Sequence, residues 1–273
     1  MKAVGVIPAR YASSRFPGKP LAALCGRPLV RHVYERARRS KTLARVVVAT
    51  DDLRIRDVVA AFGGEVQLTA AHHPSGTDRV AEVAASLNSE LVVNIQGDEP
   101  LIEPAMIDEA VAPFFVEAGL VMGTVCRRLE AEDEWDSPHV VKVVRDCRGF
   151  ALYFSRAPIP YRRRPTSDVR GPRSTGESQG SGQRTSDVGH WTPWYKHIGL
   201  YVYRRDFLLE LARLAPTPLE ETEQLEQLRA LEYGYPIRVV ETKYDSIGVD
   251  TPEDLARIER MVAATAWREA GDA

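Results

Sequence analysis

Residues 3–21 read AVGVIPARYASSRFPGKPL, an apolar run that leads directly into a loop rich in cations. Val4–Ile7 is a short run typical of a buried strand. The following loop carries Arg10, Arg15 and Lys19 among small residues, glycine and proline. Cationic side chains and backbone N–H groups in such a loop suit a triphosphate, so the stretch predicts an anion site at the end of the first strand.

This loop differs from two common phosphate-binding motifs. It has neither the Walker A pattern nor GxGxxG, so a P-loop ATPase and a dinucleotide-binding protein do not fit. The alternative to an anion site is a set of solvated surface charges. We favour the anion site because the three cations have little acidic compensation nearby and directly follow a buried strand.

Apolar runs of strand length alternate with segments of helical spacing through the first third of the chain. Beginning with a strand and alternating with helices, the predicted elements are Val4–Ile7, Leu29–Arg39, Arg45–Thr50, Leu53–Phe62, Glu65–Leu68, Asp78–Leu87 and Leu91–Ile95. Such alternation indicates right-handed crossovers and a parallel sheet covered on both faces. Ligands of such sheets bind at the carboxyl ends of the strands.

The second half has a different pattern. An antiparallel hairpin is predicted, then a strand, a helix, a strand and a closing helix, over Val140–Val144 with Ala151–Phe154, Lys196–Tyr203, Glu221–Tyr233, Ile237–Val240 and Pro252–Ala263. The whole indicates an α/β fold with a mixed, mostly parallel sheet. We expect a single domain over 1–273, with an inserted hairpin or arm region at 136–204.

The segment Arg162–Gly189 is rich in Arg, Ser, Gly and Thr and nearly free of large apolar residues. A segment of this composition does not bury enough surface to fold alone, so we expect a mobile loop at 162–189. A lid over the active site and a tolerated surface insertion are both open interpretations, and the insertion is the simpler one.

Bulk composition narrows the class of protein. The 273 residues are 44% hydrophobic and 27% charged, with a formal net charge of −2. That charge gives no reason to expect nucleic acid or an anionic membrane as partner. No run approaches the ~20 apolar residues of a membrane helix, and no signal peptide is expected. The three cysteines are too few for a disulfide framework, which favours the cytoplasm.

The run IPARYASSRFPGKPL resembles the N-terminal signature of the 3-deoxy-manno-octulosonate cytidylyltransferases, the CMP-Kdo synthetases. Further blocks resemble that family in the same order: VVVATDD, HPSGTDRVAEV, VVNIQGDEPLI, VVKVV, ALYFSRAPIP, KHIGLYVYR, LEQLRALEYG and GVDTPEDL. The resemblance implies a Rossmann-like nucleotidyltransferase fold. It also implies transfer of CMP from CTP to the 2-keto-3-deoxy sugar acid Kdo for lipopolysaccharide biosynthesis, with magnesium, by a homodimer that uses the inserted hairpin.

Two aspartates are the candidate metal ligands. Asp98 follows the fourth predicted strand, and Mg²⁺ favours one or two carboxylates together with phosphate oxygens and water. By the resemblance, Asp250 is the second Mg²⁺ ligand. From the residues alone, Asp250 before a helix is more simply an N-cap. Glu99, beside Asp98, is expected to point elsewhere.

The resemblance assigns the remaining site residues. Arg10, Lys19, Asp98 and Asp250 are the expected catalytic residues. CTP is expected to contact Ala9, Arg10, Ser13, Arg15, Lys19, Ser75, Gly76 and Asp98. The sugar acid is expected to contact Arg79, Gln96, Lys142, Arg156, His197, Tyr201, Glu226 and Gln227. Read without the resemblance, the PSGTDR segment caps a helix equally well, with Arg79 as a surface residue of its first turn.

Two departures from the family pattern bear on substrate preference. His139 stands where the family more commonly has asparagine, and the insert at 162–189 is longer than expected. The same chemistry on 8-amino-Kdo or a sialic-type acid therefore stays open. A CTP-binding regulator without catalysis is an alternative from another class, and the four catalytic candidates argue against it. An oligomeric scaffold is a third class, and only the insert at 162–189 favours it.

Overall fold

The structure, a computed structural model, describes residues 3–12, 15–161 and 193–271. Its strands are β1 Ala3–Pro8, β2 Ala23–Leu24, β3 Arg27–Pro28, β4 Leu43–Thr50, β5 Glu65–Leu68, β6 Leu91–Asn94, β7 Met122–Arg128, β8 Lys142–Arg145, β9 Ala151–Ser155, β10 Tyr195–Arg204 and β11 Ile237–Glu241.

The helices lie between and after these strands. They are α1 Leu29–Ala37, α2 Leu53–Ala61, α3 Gly76–Ser86, α4 Pro104–Val111, α5 Pro113–Val116, α6 Glu132–Asp136, α7 Arg205–Leu211, α8 Pro218–Glu223, α9 Gln227–Glu232 and α10 Pro252–Gly271, with a short 3₁₀ turn at Lys19–Leu21. None of the helices in the described ranges is long and apolar enough to cross a membrane.

The main sheet has the order β11-β7-β10-β6-β1-β4-β5. Strand β1 pairs in parallel with β4 and β6, and β4 pairs in parallel with β5. Strand β10 runs antiparallel to both β6 and β7. The predicted mixed, mostly parallel α/β sheet is confirmed.

Both faces of the sheet are buried. Successive side chains of a strand point to opposite faces, so each strand contributes to two cores. Val4 and Val6 belong to one core, which also contains residues of α3 and α7. Ala3 and Ile7, the alternate residues of β1, belong to a second core with residues of α1, α2 and α4. With apolar side chains on both faces, polar groups that bind ligands must lie at the strand ends.

The turn after β6 passes very close to the end of β1. A Cβ atom on Gly97 would lie 2.6 Å from the backbone oxygen of Pro8. Ile95 N donates to Val6 O at 3.0 Å just before this turn. Only glycine tolerates so close a backbone approach, so Gly97 allows Asp98 to stand beside the cationic loop.

The hairpin of the second half forms as predicted. Strands β8 and β9 pair antiparallel, and this pair branches from the main sheet, with β8 meeting β10 at one register pair, Lys142 and Lys196. Strand β10, at the end of the 136–204 region, lies within the central sheet between β6 and β7. The predicted mobile loop at 162–189 falls outside the described residues.

One predicted helix is wrong. Glu221–Tyr233 is not continuous, because Gln224 adopts a left-handed conformation (φ 54°) and separates α8 from α9. Helix α8 begins earlier, with Thr217 and Glu220 in a reciprocal capping box and Pro218 in the first turn. The break turns the chain at Glu226, a residue predicted to contact the sugar acid.

Asp108 of α4 anchors the loop before β4. Its carboxylate accepts hydrogen bonds from Ser40 Oγ at 2.6 Å, Thr42 N at 2.9 Å and Thr42 Oγ1 at 2.8 Å. Burial alone would raise the pKa of Asp108, but these hydrogen bonds outweigh it and hold the pKa below its ordinary value.

We predict that Asp108→Asn lowers the free energy of unfolding by about 1–2 kcal/mol at pH 7, because the charged acceptor is lost. The stabilisation by the carboxylate is complete above the unfolded-state pKa and is lost as pH falls through the lower folded-state pKa. Urea unfolding at pH 7 and at about pH 3 measures the loss of stability and its dependence on pH, with exposed Asp57→Asn as control. An equal deficit at both pH values would contradict the expected role of the charge.

Candidate active site

Two aspartates that are distant in sequence meet at one ammonium group. Lys19 Nζ lies 2.7 Å from Asp98 Oδ2 and 3.5 Å from Asp250 Oδ1. Arg15 Nη2 approaches the same Asp250 oxygen at 3.1 Å. The loop after β1 and the turn after β6 are adjacent because β1 and β6 pair in parallel. The structure thus brings together three of the four predicted catalytic residues.

A tight turn places Lys19. Gly18 has a φ of 73°, in the left-handed region that favours glycine, and its N–H donates to Tyr11 O at 2.8 Å. The Arg54 guanidinium lies over the Tyr11 ring at 3.3 Å from its centroid. The cationic loop is therefore folded back on itself and held against α2.

Asp250 is not the cap of α10. Thr251 Oγ1 accepts from Asp254 N at 3.2 Å, while Asp254 Oδ2 accepts from the backbone N–H groups of Thr251 at 3.1 Å and Asp250 at 3.2 Å. These residues form the capping arrangement themselves. The Asp250 carboxylate is left to face Lys19 and Arg15, which removes the helix-cap alternative.

The neighbour of Asp250 ties the two aspartate segments together. Val249 N donates to the backbone oxygen of Asp98 at 2.8 Å. The Val249 side chain is buried in a small apolar cluster with Leu24, Leu29 and Ile258, against which Phe16 packs. This cluster joins the cationic loop, the Asp250 segment and α10.

Two predicted anion-binding arginines lie near each other. Arg10 Nη1 donates to Pro74 O at 3.3 Å, and its Nη2 is buried with no hydrogen-bond partner among the described residues. Arg79 is 0% exposed and forms an ion pair with Asp51 at 3.2 Å. Burial lowers the pKa of Arg79, and the Asp51 carboxylate opposes this. Arg79 is not the surface residue that the alternative interpretation expected.

The N-terminus of α3 is capped and also bound to the second half of the chain. Ser75 and Asp78 form a capping box. Ser75 Oγ lies 2.8 Å from Glu226 Oε1, and Thr77 Oγ1 donates to Glu226 Oε2 at 2.5 Å. Burial raises the pKa of Glu226, although both hydroxyl groups act in the opposite direction. Ser75 therefore caps α3 and also lies beside Glu226, a predicted sugar-acid residue. Gly76, a predicted CTP contact, directly follows Ser75.

Three other predicted sugar-acid residues lie on or beside β10, and a fourth, Gln227, lies on α9. Gln96 Nε2 donates to Gly199 O at 2.9 Å, where the register of β10 against β7 shifts. The His197 ring lies between Phe154 and Tyr201, at 4.9 Å and 5.4 Å from their centroids. Gln227 is buried, and its Nε2 has no hydrogen-bond partner within the described ranges.

Two predicted cations are used internally. Lys142 is 0% exposed, and its Nζ donates to the backbone oxygens of Ser137 at 2.8 Å, Val140 at 2.6 Å and Arg156. The three donors of its ammonium group are thereby satisfied. The Arg156 guanidinium donates to the backbone oxygens of Glu223, Pro138 and Gln224. In this structure both side chains bind the hairpin to its surroundings.

The last two predicted CTP contacts have different outcomes. Ala9 is buried, and its N–H donates to Ala49 O at 2.9 Å, so this donor is already used within the sheet. Ser13 lies outside the described residues.

Some residues of the site were not found from the sequence. Asp51 was not assigned a role, although it stands at the carboxyl end of β4 and that position was a usable signal. Thr124 lies 3.0 Å from His197 Nε2, but it belongs to β7, a strand that was not predicted. Glu99 points away from the cluster and accepts from Ser246 Oγ, as expected for a residue without a direct role.

Comparison with known proteins adds independent evidence. A cytidylyltransferase family model matches residues 4–243. The 3-deoxy-manno-octulosonate cytidylyltransferase of Geobacter metallireducens is 54% identical over 258 residues, covering 94% of this chain and 96% of that protein. The enzyme of the same name from Syntrophotalea carbinolica is 56% identical over 259 residues, covering 95% and 98%. The chain belongs to the 3-deoxy-manno-octulosonate cytidylyltransferase family.

Solved structures agree with this membership. A CMP:2-keto-3-deoxy-manno-octonic acid synthetase complexed with CTP matches with a TM-score of 0.83 and 39% identity, covering 97% of this chain and 100% of that one. The 4-diphosphocytidyl-2C-methyl-D-erythritol synthase of Anaerococcus prevotii, at 13% identity and a TM-score of 0.57, shares the fold alone. The cytidylyltransferase resemblance drawn from the motifs is confirmed.

His197 provides a pH-dependent test of this part of the site. Burial lowers the pKa of His197 from its ordinary 6.5 to about 3, so the ring is neutral at pH 7. Because the folded-state pKa is the lower one, the free energy of unfolding should fall as pH decreases from about 6.5 towards 3. We predict that His197→Gln reduces this fall between pH 7 and pH 5, measured by urea unfolding. Exposed His72→Gln is the control, and identical pH slopes for parent and His197→Gln would contradict the prediction.

Proposed function

We propose that this protein is the enzyme that transfers CMP from CTP to Kdo and releases pyrophosphate. The observation that carries the proposal is the convergence of Lys19, Asp98 and Asp250, with Arg15 alongside, in a chain of the 3-deoxy-manno-octulosonate cytidylyltransferase family. Cations for a triphosphate and carboxylates for a metal ion meet there at one edge of the sheet.

We further propose that Asp98 and Asp250 hold Mg²⁺. An oxygen of each carboxylate contacts the same Lys19 ammonium group, so a positive charge already lies between the two carboxylates. No cluster of three or more acidic, histidine or cysteine ligands occurs within the described ranges, and Mg²⁺ with a nucleotide needs only one or two carboxylates. When bound, the ion would add positive charge beside the phosphate oxygens and the attacking hydroxyl.

The chemistry is an in-line displacement at the α-phosphorus of CTP. The oxygen of the anomeric hydroxyl forms a bond to phosphorus, the bond to the pyrophosphate oxygen breaks, and the hydroxyl proton leaves to solvent. No covalent intermediate with a side chain is needed, because orientation and charge stabilisation lower the barrier. Arg10, Arg15 and Lys19 would offset the charge of the triphosphate and of the departing pyrophosphate.

The cellular setting and the assembly are also proposals. Family membership supports a cytoplasmic enzyme whose product enters lipopolysaccharide biosynthesis. It also supports a homodimer, for which the branching β8–β9 hairpin is the candidate contact. Light scattering of the purified protein would return twice the chain mass of 30.4 kDa for a dimer and that mass itself for a monomer.

The substrate is tested by pyrophosphate release from CTP with Mg²⁺ and one of three acids. We expect release with Kdo that requires both substrates. Release only with 8-amino-Kdo or N-acetylneuraminate would keep the chemistry and change the acceptor. No release with any acid, despite CTP binding, would favour a regulator.

Asp98→Asn tests the role of the carboxylate cluster. We predict that kcat falls at least about 100-fold because a preorganised charge is removed, while the CTP dissociation constant changes by less than about threefold. Steady-state kinetics and calorimetric CTP titration separate the two effects. Asp57→Asn, which removes an exposed carboxylate from α2, should behave as the parent. Parent-like turnover of Asp98→Asn at saturating Mg²⁺ would refute the mechanism.

A further inference from the structure

The segment between β11 and α10, which carries Asp250, has no regular secondary structure, and polar contacts hold it in place. Asp245, near its start, accepts from Lys196 Nζ of β10 at 2.8 Å and forms an ion pair with Arg127 of β7 at 2.9 Å. One end of the segment is therefore fastened to two strands of the sheet.

The next residue fastens the segment to the turn after β6. Ser246 is 6% exposed, and its Oγ donates to Glu99 Oε2. Glu99 directly follows Asp98, so this hydrogen bond joins the two aspartate-bearing segments from behind. The Val249–Asp98 backbone hydrogen bond is a second tie between the same segments, three residues later.

These ties have an electrostatic consequence. Asp98 and Asp250 carry like charges that oppose close approach, and Lys19 and Arg15 offset that repulsion. The Ser246–Glu99 and Val249–Asp98 hydrogen bonds keep the two carboxylates together independently of the cations. The carboxylates would then be preorganised when Lys19 and Arg15 engage phosphate.

We propose that Ser246 and Glu99 are positioning residues that hold Asp250 alongside Asp98 as a preformed pair of ligands for a divalent cation. This inference rests on the proposed function, which assigns Mg²⁺ to the two aspartates. Neither Ser246 nor Glu99 is placed in contact with substrate or metal. Their effect is expected through the spacing of the two carboxylates.

Ser246→Ala is the test variant, and Ser40→Ala is a closely matched control. Ser40 is 7% exposed, and its Oγ also donates to a carboxylate, that of Asp108 at 2.6 Å. It lies before the amino end of β4, at the edge of the sheet opposite the aspartates. Both substitutions remove one buried hydroxyl donor, so a general loss of stability should be similar in both.

The readout is metal binding, measured by calorimetric Mg²⁺ titration of the CTP complex and by Mn²⁺ electron paramagnetic resonance. We expect the metal dissociation constant of Ser246→Ala to rise about five- to tenfold, because one preorganising hydrogen bond is lost. Ser40→Ala should stay within about twofold of the parent. Ser246→Thr, which keeps the hydroxyl, should restore most of the affinity.

The outcomes separate this inference from the proposed function. If the parent binds Mg²⁺ but Ser246→Ala and Ser40→Ala both match it, the positioning role is refuted and the proposed metal site stands. Equal weakening in both variants would also refute it, since the effect would then be general. A parent that binds no divalent cation with CTP would overturn the proposed metal site and this inference together.

Discussion

Helices cover both faces of the strands β1, β4 and β6, and this constraint determines where chemistry can occur. Val4 and Val6 face one core while Ala3 and Ile7 face the other, so β1 has no side open to water. A polar group on such a strand would be buried without compensation. The polar groups lie instead at the carboxyl edge of the sheet, where the backbones leave the cores and turn.

The carboxyl edge holds a small cluster of opposing charges rather than a stabilising network. Lys19 is mostly buried, whereas the carboxylates of Asp98 and Asp250 are partly exposed. The exposed Arg15–Asp250 ion pair contributes little to folding. The arrangement of the cluster is better understood as charge held in position, because backbone and side-chain hydrogen bonds fix Asp98 and Asp250 from the side away from solvent.

Two cationic side chains of the second half, Lys142 and Arg156, form hydrogen bonds with backbone oxygens, which compensate the cost of burying their charge. Lys142 gives its three donors to backbone oxygens, and Arg156 bonds three more. A buried ammonium group without such partners would be costly. In the first half, the buried Arg79 is likewise paired with Asp51. The Nε of Arg79 and the Nη2 of Arg10 nevertheless remain buried with no hydrogen-bond partner in the described part of the chain.

The sequence by itself determined the parallel half of the sheet, the cationic loop after β1, the β8–β9 hairpin and, through its motifs, the family. Periodicity and turn chemistry are local properties, so they can be read from neighbouring residues. The same reasoning missed β7 and joined α8 to α9, because a left-handed Gln224 interrupts a continuous helical pattern. Only the tertiary structure decided that Asp250 faces Lys19 instead of capping α10, and that Lys142 is enclosed by backbone oxygens. These outcomes depend on which polar groups lie within hydrogen-bond distance of a side chain in the folded protein. Residues that are distant in sequence supply many of those groups.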